Sequence, residues 1–309
     1  MTRQKPVHGV ARWQSLPDMA MDMNRSRWKA AAAAAALLAV CGAGASWVAG
    51  GTLVGAHNRA VPLPDADPGL RGVRLATTDG APVEGWLLEG QGRGALLLLH
   101  GIRADRRQML ARARFLHAAG YAVLLVDLPG HGASRALAVT FGLREGAAVK
   151  AALDYLRRSY PDRRLGVIGV SLGAASYVLC ADCPRADAVV LESMYPTIEE
   201  ALEDRLRMRV GFLAPALSPL LLGQLSLRLD IAPAQLRPIA RMPLLGAPVL
   251  IVAGDADRHT TIAQTRRIFD AATGEKQLWE VPGAAHVDLH RFAPEEYEQR
   301  IDAFLDAHL

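Results

Sequence analysis

Residues 165–176, LGVIGVSLGAAS, set one serine between two glycines in the pattern G-x-S-x-G. The apolar run before Ser171 is typical of a buried strand, and the small residues after it favour a helix. A side chain at the tip of such a sharp turn needs a strained backbone, and residues two before and two after it must be small. Gly169 and Gly173 meet this need, so the stretch predicts a nucleophile elbow that presents Ser171 at a helix N-terminus.

Apolar runs alternate with helical segments on both sides of this turn. The predicted strands include residues 95–101, 121–127, 165–170, 186–193, 247–254 and 276–283. Strands that alternate with helices predict an α/β fold with a mostly parallel central sheet and helices on both faces. In such sheets the functional groups collect in loops at the carboxyl ends of the strands.

A segment of about residues 195–245 interrupts the alternation. It contains the apolar, proline-broken run RVGFLAPALSPLLLGQLSLRL at residues 209–229. We interpret the segment as a helical cap over the active site, and the alternative is an extra core helix. Residues 211–225 carry no charged side chain and should therefore cover something apolar. An acyl-chain tunnel is our preferred interpretation, and the bilayer or a partner protein are the alternatives.

A serine hydroxyl is a poor nucleophile at neutral pH and needs a base that an acid orients. His286 follows the last predicted strand, and Asp255 and Asp257 both follow the strand before it. The order Ser, Asp, His along the chain is the one that the nucleophile-elbow fold uses.

An oxyanion hole should complete this site. Leu172 directly follows the serine, and Ile102 follows the buried run that ends in His100-Gly101. The backbone N–H groups of Leu172 and Ile102 are therefore predicted to bind the oxyanion.

Five motifs at strand ends together resemble the α/β-hydrolase superfamily over about residues 70–309. They are His100-Gly101, DLPGHGAS at 127–134, GVSLG at 169–173, the G-x-x-D of 254–257 and the late His286. The run VVLESMYPTI at 189–198 is similar to the membrane-tethered abhydrolase-domain and serine-aminopeptidase-like (monoacylglycerol-lipase-like) serine hydrolases. The resemblance implies an α/β-hydrolase fold and no cofactor.

The resemblance also carries the family's triad onto Ser171, Asp257 and His286. Asp257 is preferred over Asp255 because the family's acid lies three residues after the glycine, here Gly254. No cluster of metal-ligand residues appears, since the C-x-x-C pair of Cys180 and Cys183 offers too few ligands for a structural zinc. That pair could instead form a disulfide outside the cytoplasm or remain as two thiols at a helix end.

Residues 30–56 contain no charged side chain and follow Arg25, Arg27 and Lys29. A helix of this length spans a bilayer core of about 30 Å, and the flanking cations favour a cytoplasmic N-terminus. The preferred interpretation is a single-pass signal anchor with the catalytic domain on the extracytoplasmic, periplasmic side. The alternatives are a signal peptide cleaved after Ala45, which gives a secreted protein, and a lipoprotein signal ending at Cys41.

The predicted domains are a basic N-terminal segment (1–29), the transmembrane anchor (30–56), a linker with three prolines (57–70) and the hydrolase domain (71–309). The first 29 residues hold six Lys or Arg and two Asp, which accounts for the whole net charge of +4. The folded part is thus charge-balanced, which argues against nucleic acid as a partner.

These features predict a membrane-anchored serine hydrolase that cleaves carboxylic esters or thioesters through an acyl-enzyme. The expected substrate is an acyl ester or thioester of a small molecule or lipid, and the expected membrane contact is the N-terminal helix. A serine peptidase of the same fold would differ only in its leaving group. From another class, an inactive fold that serves as a binding module is the second alternative.

Overall fold

The computed structural model describes residue 2 and residues 16–64 and 69–309. For residues 16–24 and 26 it describes the backbone only. Part of the predicted basic segment, residues 1 and 3–15, and residues 65–68 of the predicted linker therefore lie outside the described residues. The chain divides into two compact units, Met1–Ala49 and Gly50–Leu309.

A single helix, α1, runs over Leu16–Val54. Seven consecutive alanines at 30–36 favour it, because alanine has the highest intrinsic helix propensity. Its part Arg27–Val54 is long and apolar enough, by length and composition, to cross a membrane. Leu37, Leu38 and Val40 on this helix are exposed. The helix is therefore a candidate membrane anchor, although a signal sequence has the same properties.

The larger unit is built on an eight-stranded sheet with strand order β10-β9-β8-β7-β4-β5-β3-β2, beside a two-stranded pair of β1 and β6. The strands are β1 His57–Asn58, β2 Leu70–Ala76, β3 Pro82–Leu88, β4 Ala95–Leu99, β5 Ala122–Val126, β6 His131–Gly132, β7 Leu165–Val170, β8 Ala188–Glu192, β9 Val249–Gly254 and β10 Lys276–Val281. The six strands from β10 to β5 are parallel, and β3 is antiparallel to both of its neighbours. The predicted fold class is thus confirmed, with a mixed sheet whose antiparallel part is the β2–β3 hairpin.

Helices cover both faces of this sheet. They are α2 Leu110–Ala118, α3 Gly146–Ser159, α4 Leu172–Leu179, α5 Ile198–Val210, α6 Ala214–Leu229, α7 Ile262–Ala271, α8 Leu289–Phe292 and α9 Pro294–His308. Successive side chains of β4 point to opposite faces: Leu97 and Leu99 pack in the core layer of α3, α4 and α7. Leu96 and Leu98 pack in the layer of α2 and α9. Because both faces are covered, the central strands are apolar throughout rather than alternating.

The segment between β8 and β9 is a helical insertion. It comprises α5, α6 and three short 3₁₀ turns at Gly211–Leu213, Pro233–Gln235 and Pro238–Leu244. It has a small core of its own, in which Leu225, Leu229 and Ile231 pack with Val54. The insertion is therefore attached to the unit by apolar contacts as well as by its two chain ends.

The described part of the segment predicted as a linker, residues 57–64 and 69–70, lies on the larger unit. His57 and Asn58 pair in parallel with His131 and Gly132, and Val61 is buried. The proline content of this segment suggested a free tether, but prolines remove backbone donors only at their own positions. The residues before them remain able to form a short ladder.

A buried ion pair links α2 to the carboxyl end of β8. Arg112 of α2 donates from Nη2 to Glu192 Oε2 at 2.7 Å and from Nε to Tyr297 Oη at 2.9 Å. Both charged side chains are almost wholly excluded from solvent. Glu192 also accepts, through its backbone oxygen, a hydrogen bond of 2.8 Å from the N–H of Ser171.

Replacing Arg112 by methionine should lower the free energy of unfolding by about 3–5 kcal/mol, because it leaves the Glu192 carboxylate buried without its partner. Urea denaturation measures this loss. The matched control is Arg266→Met, since Arg266 pairs with Glu280 at the surface and exposed pairs contribute at most about 1 kcal/mol. Equal losses in the two variants would contradict the prediction.

Candidate active site

The turn between β7 and α4 has the strained geometry of a nucleophile elbow. Ser171 lies between the two elements with φ 50° and ψ −104°, a region that side-chain-bearing residues rarely adopt. A Cβ on Gly169 would lie 2.6 Å from the backbone nitrogen of Ala174, and one on Gly173 would lie 2.5 Å from the carbonyl oxygen of Leu99. Both contacts are with backbone atoms that cannot move aside, so the glycines two residues either side of the serine are sterically required.

The structure brings the predicted acid and base together. Asp257 follows β9, His286 follows β10, and these strands are parallel neighbours whose carboxyl ends meet. His286 Nδ1 lies 2.7 Å from Asp257 Oδ2. The second carboxylate oxygen, Oδ1, accepts backbone hydrogen bonds from His259 at 2.7 Å and Thr260 at 3.0 Å. The carboxylate therefore lies within hydrogen-bonding distance of three nitrogen atoms, and in the tautomer that donates from Nδ1 the lone pair of His286 is on Nε2.

The second aspartate of this loop has a different environment. Asp255 is exposed, and its Oδ1 accepts a hydrogen bond of 2.7 Å from the N–H of Gly283. Gly283 has φ 73°, so Asp255 stabilises the tight turn that leads from β10 to His286. The order of residues along the chain did not distinguish the two carboxylates. In the structure, Asp257 contacts His286 and Asp255 contacts the turn at Gly283.

Ser171 lies at the same carboxyl edge of the sheet, two strands away from β9. The serine is buried, with 4% of its surface exposed. Its Oγ forms no hydrogen bond to His286 or to any other residue that the structure describes. In enzymes, the hydrogen bond between a nucleophile and its base is often long in the absence of substrate and tightens in the complex.

The two backbone donors predicted for the oxyanion hole follow β7 and β4, neighbouring parallel strands of the sheet. Leu172 is the first residue of α4, where the N–H groups of a helix have no intrahelical acceptor. In the described part of the chain, neither its N–H nor that of Ile102 donates a backbone hydrogen bond. Both donors are therefore available to a ligand.

His100 holds the loop after β4 in place. Its Nε2 accepts a hydrogen bond of 3.0 Å from the N–H of Leu128, so the proton is on Nδ1, which lies 2.8 Å from the carbonyl oxygen of Gly101. Burial lowers the pKa of His100 to about 4, which keeps the ring neutral at physiological pH. The neighbouring N–H of Gly101 donates to Gln108 Oε1 at 2.8 Å. These contacts fix the segment that carries Ile102.

Sequence reasoning missed two polar groups beside the acid and base. The ring of His259 lies 4.9 Å from that of His286, and burial, together with the charge of His286, lowers the pKa of His259. Arg205 of α5 donates to the carbonyl oxygen of Ala201 at 2.8 Å. Burial lowers its pKa, while the charges of Tyr195 and Asp257 oppose that shift. His259 could have been suspected from its place two residues after Asp257, but no local pattern marks Arg205, because the insertion carries it there.

Residues 96–300 match the sequence profile of the Alpha/beta hydrolase family. An uncharacterized protein of Mycobacterium tuberculosis, strain H37Rv, is 32% identical over 236 residues, which cover 74% of this chain and 77% of that protein.

Two solved esterases have a similar fold. An esterase of Pyrococcus furiosus superposes with a TM-score of 0.67 at 21% identity, over 82% of this chain and 99% of that one. A thermophilic esterase of Thermogutta terrifontis gives a TM-score of 0.56 at 18% identity, over 77% of this chain and all of that one (100%). At these identities the likeness concerns the fold.

Proposed function

This chain belongs to the alpha/beta hydrolase family, and we propose that it is a membrane-tethered serine hydrolase that cleaves carboxylic esters or thioesters. The observation that carries the proposal is the conjunction of two features at one sheet edge. Ser171 is held at a positive φ in the elbow, and His286 is bonded through Nδ1 to Asp257. A strained serine and an oriented histidine are what nucleophilic catalysis by a hydroxyl requires.

In the proposed reaction Ser171 Oγ attacks the acyl carbonyl carbon while His286 Nε2 accepts the hydroxyl proton. The N–H groups of Ile102 and Leu172 stabilise the oxyanion. His286 then gives its proton to the leaving alcohol or thiol, which departs and leaves an acyl-enzyme. Water, deprotonated by His286, attacks this ester and releases the carboxylic acid, and the proton returns to Ser171. Asp257 keeps the imidazole in the productive tautomer throughout.

We further propose that α1 is retained as a single-pass anchor with the catalytic unit outside the cytoplasm. The disulfide between Cys180 and Cys183 at the end of α4 supports this side, because disulfides persist in oxidising compartments.

A fluorophosphonate probe tests the reaction type, since it reacts covalently with an activated serine. Full-length protein in membranes should be labelled, and the Ser171→Ala variant should not. Ser193→Ala is the matched control, because Ser193 also lies after a strand at a positive φ, 48°, and should leave labelling unchanged. Labelling of Ser171→Ala at the wild-type level would overturn the proposal.

A further inference from the structure

The helical insertion presents a row of exposed apolar side chains. Phe212, Leu220 and Leu227 are 90%, 59% and 77% exposed. The apolar face comprises these three residues together with the less exposed Val210, Leu213 and Leu217. Soluble surfaces rarely carry contiguous apolar patches of this kind, which mark sites of contact with a membrane or another molecule.

The opposite side of α6 is apolar as well. Leu221, Leu225 and Leu229 are buried against the larger unit. A helix on the surface of a soluble protein normally has polar residues on its outward side. The outward side of α6 is apolar instead. Side chains as exposed as Phe212, Leu220 and Leu227 do not line an enclosed acyl-chain tunnel. The tunnel that the sequence favoured for this segment stays a prediction that these three residues do not support.

The last turn of α1 lies against this helix within the unit Gly50–Leu309. Val54 packs with Leu225 and Leu229, and a Cβ on Gly50 would lie 2.1 Å from Gln224 Oε1. Val54 is also the last residue of the stretch that is long and apolar enough to cross a membrane. No polar linker therefore separates the candidate anchor from the residues that pack on α6.

Leu137 is a further exposed apolar side chain, and it lies near Val54 in the fold. The N–H of Val139 donates to the carbonyl oxygen of Val54 at 2.8 Å, and Leu137, two residues earlier, is 100% exposed. This region follows β6, which comes shortly after the carboxyl end of β5. Leu137 and the end of α1 are thus near the edge of the sheet that carries Ser171, Asp257 and His286.

Charges border the apolar face. Arg209, at the end of α5, is exposed. Arg228, near the end of α6, is half-buried and donates from Nε to Gln224 Oε1 at 3.1 Å, and the exposed Asp230 follows it. Cations at the margins of an apolar surface suit the anionic headgroups of a lipid bilayer.

By length and composition Ile198–Leu229 could also cross a membrane. However, the turn at Gly211 separates α5 from α6, and six of the 16 residues of α6 are buried against the unit, so this surface would lie on a bilayer rather than cross it.

We propose that the apolar face and Leu137 dock on a phospholipid bilayer, with α6 parallel to the membrane surface. Helices of this type bury their apolar side about 5–10 Å into the boundary between headgroups and acyl chains. The bilayer is the favoured occupant because Val54, the last residue of the stretch that could cross a membrane, itself packs on α6. The docking does not depend on which reaction Ser171 catalyses.

The test places an environment-sensitive fluorophore on single cysteines of the full chain, in a Cys41→Ser background. Leu220→Cys and Leu227→Cys report on the apolar face. Leu244→Cys is the matched control, because Leu244 is similarly exposed, at 63%, but precedes the amino end of β9 at the opposite edge of the sheet. The protein is reconstituted in vesicles of phosphatidylcholine and phosphatidylglycerol, with and without lipids brominated on the acyl chain.

At positions 220 and 227 we expect a blue-shifted emission and a loss of intensity with the brominated lipid. At position 244 we expect water-like emission and no such loss. Water-like, unquenched emission at both 220 and 227 would overturn the proposal and leave a protein partner as the occupant of the face. Two positions are labelled in case one variant has a folding defect, which thermal melting detects. In that case the emission of the other variant tests the proposal.

Discussion

Replacing Ser171 by alanine is expected to lower kcat/KM for p-nitrophenyl acetate by about 10⁶-fold, because no other group supplies the nucleophile and the members of a triad act as a unit. The loss should appear in kcat, since the oxygen is needed in the chemical step rather than for binding. Alanine keeps the Cβ and the backbone strain at φ 50°, and Ser171 Oγ makes no hydrogen bond to described residues that folding would lose. The melting temperature should therefore stay near that of the wild type.

Ser193→Ala provides the control for this measurement. Ser193 is buried and shares the positive φ, but it follows β8 and is not flanked by glycines two residues away. Its replacement should leave kcat/KM within a factor of a few. A Ser171→Ala enzyme with activity within tenfold of the wild type would exclude the proposed mechanism.

Replacing Asp257 by asparagine is expected to lower kcat by about 10⁴-fold, because the neutral amide favours the histidine tautomer that cannot accept the serine proton. The asparagine Oδ1 can still accept the backbone hydrogen bonds that Asp257 takes from His259 and Thr260. The loop should therefore keep its conformation, which a thermal melt verifies. The rate loss then reports on the electronic role of the carboxylate rather than on folding.

Asp255→Asn is the matched control, since the two aspartates are two residues apart in one loop. Its oxygen can continue to accept the hydrogen bond from Gly283, so kcat should change by less than about tenfold. Steady-state kinetics on the same p-nitrophenyl ester compare the two variants. If Asp255→Asn were the more damaging change, Asp255 and not Asp257 would be the acid of the site.

Local sequence patterns determined the elements that depend on near neighbours in the chain. The elbow at Ser171 follows from steric contacts that its two flanking glycines alone relieve. The apolar runs of β4, β5 and β7 predict buried strands because strand side chains alternate between two covered faces. The order of these strands with helices then predicts a parallel sheet with loops gathered at one edge.

The placing of Asp257, rather than Asp255, against His286 was decided by the tertiary structure. Both carboxylates follow β9, and the pairing of β9 with β10 and the turn at Gly283 select which one faces the imidazole. The family resemblance favoured the same residue, but residue order alone did not. The choice between these two aspartates depends on hydrogen bonds of their carboxylates to residues 28 and 29 positions later in the chain, the N–H of Gly283 for Asp255 and the ring of His286 for Asp257.

Three further features depended on contacts that no local pattern encodes. The buried network of Arg112, Glu192 and Tyr297 joins residues 80 to 185 positions apart, and the ladder of His57 with His131 fastens a segment that its prolines suggested was free. The composition of residues 211–225 indicated that this segment needs apolar surroundings. It did not indicate which side of α6 packs against the rest of the unit. When a helix is apolar all round, the periodicity of its sequence does not predict which side is buried. Only the packing of α6 against the unit shows which leucines are buried and which remain exposed.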